Sequence, residues 1–495
     1  MSGRRLTGRE FGVIAVLSAV SLGGYLWTSG QVHKVGFPLD DAWIHQTYAR
    51  NLAVYGEWAF RPGVASAGST APLWSALLAV GHGLGVGPYV WTFLLGWAAL
   101  VGMGVVGWWG MRVLAPEREA WAMRGAALLI FEWHLVWAAG SGMETLPFAL
   151  VVTTVLVWCA ASGSGASVRM WFGMGLLIGA GVWLRPDAIT LLGPVFVVIV
   201  VGEKIPGKLP ASVVLTAGFL LLFLPYLGFN YLLDGQIWPN TFFAKQAEYA
   251  VLREQALGAR LLAQLALPLV GVGAALLPGV IIGLVRVVRE RRWAVAAGLV
   301  WFLGYAGLYA WRLPVTYQHG RYLIPAMPIF MLWGLVGMAQ WVRRDSRVVM
   351  RRLASGVWVM TAGLLAGAFW VMGARAYALD VAVIETEMVA AAQWVAQNTE
   401  PGALVAAHDI GALGYFGERE LLDLAGLISP DVTPFIRDEE ALGDFMAARG
   451  ARYFVTLRGW YPLLESRGTP VYDSSGSFSP NMGGTNMVVY RLDGD

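Results

Sequence analysis

The stretch Gly36-Phe37-Pro38-Leu39-Asp40-Asp41-Ala42-Trp43-Ile44-His45 decides how the rest of the chain reads. It follows an apolar run, Phe11–Trp27, and sets two carboxylates side by side where the chain leaves that run. A carboxylate beside a bilayer costs free energy unless it faces water or has work there. Asp40 and Asp41 therefore open an outer loop, and an active site at the membrane surface accounts for both. The plainer alternative is that Asp40 N-caps the next helix, for which one carboxylate suffices. Ile44, Tyr48, Leu52 and Tyr55 recur at helical spacing, so that helix is expected to lie along the membrane interface. Gly63–Thr70 reads as a small-residue loop, and Pro72–Leu84 as a second interfacial or re-entrant helix, too short to span.

Composition extends this reading to the whole chain. Of 495 residues, 57% are hydrophobic and only 14% charged, against roughly 25% charged in a soluble domain. The mean hydropathy is +0.58. The 24 tryptophans suit a membrane interface, where an amphipathic ring is half buried and half wet. The net charge of +3 says little about nucleic acid, and no nucleic-acid partner is expected, because the basic residues recur between apolar runs and form no single stripe. The single cysteine, Cys159, excludes an intramolecular disulfide and a thiolate zinc site, and the six histidines show no metal-ligand spacing. The run Phe11–Trp27 is long for the apolar part of a signal peptide and no Ala-x-Ala site follows, so it is expected to be a retained first span.

Candidate spans are Phe11–Trp27, Tyr89–Val113, Arg124–Ala139, Leu146–Ala161, Trp171–Leu184, Ala188–Val201, Ser212–Phe229, Leu261–Val285, Ala294–Trp311, Leu323–Trp341 and Ala354–Val371, about eleven in all, given that a span needs ~20 apolar residues. Cytoplasmic loops retain Lys and Arg. That bias puts Arg4, Arg5 and Arg9 inside, and with them Arg112, Arg118 and Arg124; Arg169; Lys204 and Lys208; Arg286, Arg289, Arg291 and Arg292; and Arg343, Arg344, Arg347, Arg351 and Arg352. Because Arg169 and Lys204 must share a side, Trp171–Val201 reads as a hairpin of two short spans with Arg185-Pro-Asp187 at its outer tip. An odd number of spans leaves the C-terminal part outside. From about Ala374 the composition turns polar. Glu385–Asn398 has helical periodicity, and Leu404–Ala407, Tyr453–Leu457 and Met487–Leu492 read as short strands. The expected fold is thus a polytopic α-helical membrane domain, residues 1–373, followed by a small extracytoplasmic α/β domain, residues 374–495.

Further charges gather on the outer side. Glu144, in Ser141-Gly-Met-Glu-Thr145, is either a solvated turn residue or part of the same site as Asp40 and Asp41. Arg185, Lys245 and Arg321 are basic residues on the side that the positive-inside bias depletes. Each can snorkel, or pair with a nearby carboxylate such as Asp187. Together they suggest an anion held at the outer boundary, such as the phosphate of a lipid, for which Arg and Lys are the usual partners. Glu132 and His134 lie within an apolar span and receive no role.

The layout resembles the C superfamily of membrane glycosyltransferases (GT-C), which use polyprenyl-phosphate sugars and carry an acidic motif in the first outer loop. Protein mannosyltransferases and the aminoarabinose transferase of lipid A share this layout. Asp40-Asp-Ala-Trp-Ile-His-Gln-Thr-Tyr-Ala-Arg-Asn51, with Gly68-Ser-Thr-Ala-Pro-Leu-Trp74, is similar to mycobacterial-type arabinofuranosyltransferases and their bacterial relatives. Ser141-Gly-Met-Glu-Thr145, Leu184-Arg-Pro-Asp187, Pro239-Asn-Thr-Phe-Phe-Ala-Lys245 and His319-Gly-Arg-Tyr322 look like further motifs of that group. So do Val405-Ala-Ala-His-Asp-Ile-Gly-Ala-Leu-Gly-Tyr415 and Leu422-Asp-Leu-Ala-Gly-Leu427.

The resemblance implies an inverting glycosyltransferase that moves a sugar, a pentose such as arabinofuranose or a hexose, from a polyprenyl-phosphate donor to an envelope glycan, lipid or protein. It implies Asp40 as general base, Asp41 as an orienting carboxylate and Glu144 as support for the same pocket. Arg321, Lys245 and Arg185 would hold the donor phosphate, and His45, Tyr48, Asn240, His319 and Tyr322 would line the substrate pocket. No cofactor is required, although adjacent carboxylates can take a divalent ion. The implied location is a bacterial inner membrane, crossed many times, with the N-terminus cytoplasmic and the C-terminal domain extracytoplasmic. Two other classes compete: a transporter or flippase of a lipid-linked sugar, whose usual internal repeat the chain lacks, and a non-catalytic glycan-binding subunit.

Overall fold

The computed structural model describes residues 5–162, 167–202, 207–342 and 349–492. Arg4, Lys204, Arg343, Arg344 and Arg347, which the charge bias assigns to the inside, lie outside the described residues.

The chain begins with α1 (Gly8–Val32), whose start is fixed by a capping box between Thr7 and Glu10. The first outer loop holds α2 (Asp41–Tyr55), a short hairpin of β1 (Ala59–Arg61) and β2 (Val64–Ala65), and α3 (Pro72–Gly83). Next come α4 (Pro88–Leu114), α5 (Ala122–Phe131), α6 (Trp133–Gly140), α7 (Thr145–Ala161), α8 (Val168–Leu184), α9 (Leu192–Val201) and α10 (Lys208–Asp234). The remaining membrane-part helices are α11 (Asn240–Glu248), α12 (Leu257–Ala266), α13 (Gly273–Arg289), α14 (Trp293–Arg312), the single distorted turn α15 (Tyr317–Gly320), α16 (Met327–Trp341) and α17 (Val349–Ile384).

Among the described residues six helical stretches are long and apolar enough to cross a membrane, and a bent pair makes a seventh. Three further apolar helices, Thr145–Ala161, Val168–Leu184 and Pro186–Val201, are shorter. α16 is buried from Met327 to Ala339, whereas the apolar stretches of α1, α10 and α17 are only 28%, 22% and 11% buried, as in lipid-facing helices. α8 and α10 approach closely, because a Cβ at Gly175 would lie 2.1 Å from the Leu215 carbonyl oxygen, a contact only glycine permits.

Two expected spans are not continuous. Arg124–Ala139 breaks at Glu132, which leaves the helical region (φ −67°, ψ 117°) and caps α6 by accepting a hydrogen bond from the Leu135 amide. The carboxylate in the apolar run thus satisfies an amide that the break would otherwise leave free. Its other oxygen bonds His134 Nδ1 at 2.7 Å, which gives both buried residues a structural part. Leu261–Val285 bends by 109° between Leu269 and Gly273. Gly271 takes φ +119° there, and the Val270 carbonyl freed by the bend accepts from the Trp133 indole at 2.7 Å. α8 ends at Arg185, which is extended before Pro186, so the chain breaks where the sequence placed an outer tip. α2 is buried along Ala42–Ala49 rather than lying with one face free, because it packs against both α3 and a helix from the far end of the chain.

α17 passes through one π-helical turn, Glu385–Val389, into α18 (Ala390–Asn398). The turn aims two buried carboxylates at different partners. Glu385 pairs with Lys34 at 2.5 Å and accepts from the Tyr89 hydroxyl at 2.8 Å. Glu387 accepts from the Met487 amide at 2.8 Å, and so ties the helix to the C-terminal sheet. That sheet has the order β4-β3-β5-β7-β6. β3 (Leu404–Ala407), β5 (Tyr453–Leu457) and β7 (Met487–Leu492) coincide with the three expected strands. β4 (Glu420–Asp423) and β6 (Gly468–Asp473) are the edges. Between β3 and β4 lies α19 (Gly411–Phe416), the helix that covers α2.

Candidate active site between the membrane helices and the C-terminal sheet

Asp40 and Asp41 leave the start of α2 into different surroundings. Asp40 makes no cap for α2. Its two carboxylate oxygens instead accept from the amides of Gly411 (2.7 Å) and Ala412 (2.8 Å), the first turn of α19. An anion is favoured there by the free amides and the helix dipole. Gly411 is obligatory at this contact, because a Cβ would fall 2.0 Å from the Asp40 carbonyl oxygen. Burial and the nearby Asp409 carboxylate nevertheless push the Asp40 carboxyl up to about 7, against the opposing pull of the two amides. For Asp41, burial alone would raise the pKa. Arg321 Nη1 at 2.6 Å and Lys245 Nζ at 3.7 Å outweigh it and hold the group well below the usual carboxylate range.

A cavity of about 300 Å³ lies on one side of this ion cluster. Its charged lining is Asp41, Glu144, Arg185, Asp187, Lys245, Arg312 and Arg321, and Phe242, Leu308, Trp311 and Leu313 give it apolar walls. Glu144 is buried, 3.5 Å from His45 Nε2 and 3.9 Å from Arg185 Nη1, and its Oε2 has no hydrogen-bond partner among the described residues. Arg185 donates to the Tyr309 hydroxyl (2.8 Å) and pairs with Asp187 (3.2 Å), so it is both ion-paired and part of the lining. Burial opposes the charge on Lys245, but the Tyr322 ring oxygen and Asp41 keep its pKa above the usual value.

A second cavity, about 500 Å³, lies on the other side and shares Asp41, Lys245 and Arg321 with the first. Its own polar lining is Asp40, Glu248, Tyr249, Tyr317, Gln318, His408 and Asp409, with Trp460 also facing it. His408 sits between two carboxylates, Glu248 at 3.1 Å and Asp409 at 3.4 Å. Burial would favour neutral imidazole, but these two contacts win and hold its pKa well above the ordinary histidine value.

The expected site residues divide by position. Asp40, Asp41, Glu144, Lys245, Arg185, Arg321 and Tyr322 line one cavity or the other. His45, Tyr48, Asn240 and His319 do not, and each holds a neighbour instead. His45 bonds Ser75 (3.0 Å) behind Glu144. Tyr48 fastens the small-residue loop through Ser66 (2.6 Å) and the Gly68 amide (3.0 Å). Asn240 donates to Asp234 at 2.8 Å. His319 bonds Asp380 at 2.8 Å and stands among the rings of Trp133 and Trp137. It has φ +57° and follows Gln318 at φ +52°, a strained pair separated from Arg321 only by Gly320. Such backbone costs on the order of 1–3 kcal/mol per residue, and the His319–Asp380 bond helps hold it. His408, Asp409, Glu248, Trp460 and Tyr309 also line these cavities and are not among the expected site residues. The motif around His408-Asp409 is the sequence signal for two of them. Among the described residues no group of three His, Cys, Asp or Glu side chains has the geometry of a metal site.

Comparison with known proteins agrees with this architecture. Residues 378–490 match the family model of a domain of unknown function, DUF8728. No curated protein sequence matches the chain. ArnT from Cupriavidus metallidurans, solved with bound undecaprenyl phosphate, is similar over 97% of this chain and 98% of its own, with a TM-score of 0.60 and 14% identity. The archaeal oligosaccharyltransferase AglB from Archaeoglobus fulgidus, in complex with an inhibitory peptide and a dolichol-phosphate, is similar over 98% of this chain and 74% of its own (TM-score 0.61, 12% identity). The arabinofuranosyltransferase AftD from mycobacteria is similar over 99% of this chain, which spans 40% of that protein (TM-score 0.55, 15% identity). All three are GT-C proteins, and the chain has their fold.

Proposed function

We propose that the protein is an inverting glycosyltransferase that moves a sugar from a polyprenyl-phosphate donor to an acceptor of the cell envelope. The observation that carries this reading is the shared wall. Buried Arg321 and half-buried Lys245 face a cavity with apolar walls on one side, and a carboxylate of raised pKa faces a polar cavity on the other, next to Asp41. The fold is one in which relatives have been solved with undecaprenyl phosphate and dolichol-phosphate, which supports a lipid-phosphate donor.

In this reaction the donor phosphate lies against Arg321 and Lys245, with Arg185 beyond. The prenyl tail stays in the bilayer, where each CH₂ is worth about 0.8 kcal/mol, and the apolar walls of the smaller cavity receive its first units. The acceptor hydroxyl enters the larger cavity. Asp40 takes the hydroxyl proton as the oxygen attacks the anomeric carbon from the face opposite the phosphate. The carbon–phosphate-oxygen bond breaks, and the electron pair leaves on the phosphate, whose growing charge the cations stabilise. The proton passes from Asp40 to water, and the configuration is inverted. A base with a pKa near the working pH suits this task, and the depressed Asp41 does not. Asp41 instead keeps the cations aimed at the wall, and Glu144 supports Arg185. The step is written without a metal because the chain's own cations balance the leaving group. Residues 1–373 form the catalytic membrane domain in this account and 374–495 an extracytoplasmic domain. The N-terminus is cytoplasmic and the location a bacterial inner membrane.

The test is transfer by the purified protein from a panel of polyprenyl-phosphate pentoses and hexoses to membrane extract, with Asp40→Asn alongside. Transfer from one donor class, reduced about 10²–10⁴-fold in the variant, is the expected result. Equal transfer by both proteins removes Asp40 from the chemistry. No transfer from any donor favours a transporter or binding subunit.

A further inference from the structure

We propose that the larger cavity is an acceptor site for an uncharged, hydroxyl-rich glycan, completed by His408, Asp409 and Trp460 of the C-terminal region. The inference rests on the transferase reading and narrows its acceptor from glycan, lipid or protein to one class.

The charge pattern excludes an anionic occupant. The cations that line this cavity are Lys245, Arg321 and His408. Lys245 and Arg321 pair with Asp41 and are taken up by the donor phosphate in the proposed reaction, and His408 lies between Glu248 and Asp409. With the donor in place, a uronate or phosphorylated glycan would meet no further cation in this lining among the described residues and would face Glu248, Asp409 and Asp40. A cationic occupant is met by carboxylates already occupied with His408 or with the amides of α19. What remains is a set of oxygens that accept hydrogen bonds, matched to the hydroxyls of a neutral polyol.

The aromatic pattern supplies the other half. Tyr249 and Tyr317 form an edge-to-face pair, 5.8 Å between centroids, on one part of the wall. Trp460 stands on the loop after β5, 5.9 Å from the His408 ring, and is 51% exposed. One exposed indole is ordinary on a protein surface, but this one borders the cavity, where a sugar ring can stack on it. The negative ring face attracts the weakly positive C–H groups on one side of a sugar ring. At about 500 Å³ the cavity falls within the range of small-molecule sites, roughly 300–1,000 Å³.

The experiment uses the full chain in lipid nanodiscs and measures two bindings at equilibrium. Undecaprenyl phosphate reports the smaller cavity. A neutral tetrasaccharide of pentoses or hexoses, a size-matched uronate tetrasaccharide and an uncharged serine-rich peptide report the larger. The neutral glycan is expected to bind, and Trp460→Ala to weaken it about tenfold. Glu248→Gln, which keeps the shape and removes one acceptor charge, should weaken it less. Lipid-phosphate binding by the same variants shows that they are folded. Equal or tighter binding of the uronate or the peptide overturns the proposal, and so does lipid-phosphate binding with no glycan binding. Failure of lipid phosphate to bind while the neutral glycan binds leaves the glycan site standing and sinks the donor reading instead.

Discussion

The two cavities differ in what encloses them and in what they do with charge. The smaller is built by the membrane helices and their loops. There Arg185 is paired with Asp187, and Arg321 and Lys245 with Asp41, against apolar walls. The larger is closed by residues from the far end of the chain, and among the described residues its carboxylate Asp40 is held by two backbone amides of α19 and by no cation. One dipeptide therefore serves both sides. Asp41 faces cations and is pinned as an anion, while Asp40 faces Asp409 and becomes basic. Identical side chains at adjacent positions acquire different chemistry because the fold puts opposite charges on either side of them.

That contrast can be broken at either end. The largest loss is expected from Asp40→Asn, which removes the base. Arg321→Ala should come next, with transfer falling about 10²–10³-fold as the leaving phosphate loses its closest donor. Single-turnover rates with saturating donor separate the two. Asp41→Asn should act in the opposite sense on the lipid. It frees both cations, so undecaprenyl phosphate is expected to bind about tenfold more tightly, equivalent to ~1.4 kcal/mol, as read by lipid titration. Weaker binding would show that the phosphate loses more from misaligned cations than it gains from the removal of a competing charge.

The smallest effect is a shift in pH dependence. Transfer should rise with pH through about 7 as Asp40 loses its proton, and level off above it. Asp409 and Asp41 are the like charges facing Asp40. The Gly411 and Ala412 amides oppose them, and Lys245, Arg321, Glu248 and His408 share the cavity. Removing a like charge favours the carboxylate, so Asp409→Asn should move the rising limb to lower pH. An unmoved limb would mean that the limb reports another group.

Much of this arrangement is legible in the sequence, in proportion to how local its causes are. Adjacent Asp40 and Asp41 after an apolar run, and basic residues on the depleted side, need no long-range knowledge. β3, β5 and β7 are short apolar runs and are read correctly, whereas the edge strands β4 and β6 carry charges and a proline, as edges do, and are not. The break at Glu132 and the bend at Gly271 depend on a cap and on a distant indole, which hydropathy does not register. His45 and Tyr48 belong to the motif, yet point behind Glu144 and into the small-residue loop. The closure of the larger cavity is the least legible feature, because it pairs Asp40 with Gly411 and Ala412, more than 370 positions away.

The most direct test crosses two variants with two readouts: Asp40→Asn and Arg321→Ala, each measured for undecaprenyl phosphate affinity and for the single-turnover rate of glycosyl transfer. Asp40→Asn is expected to lose rate with lipid affinity close to native, while Arg321→Ala loses both. Loss of lipid affinity in Asp40→Asn equal to that in Arg321→Ala, or a native transfer rate in Asp40→Asn, would contradict a base in one cavity working on a phosphate held in the other.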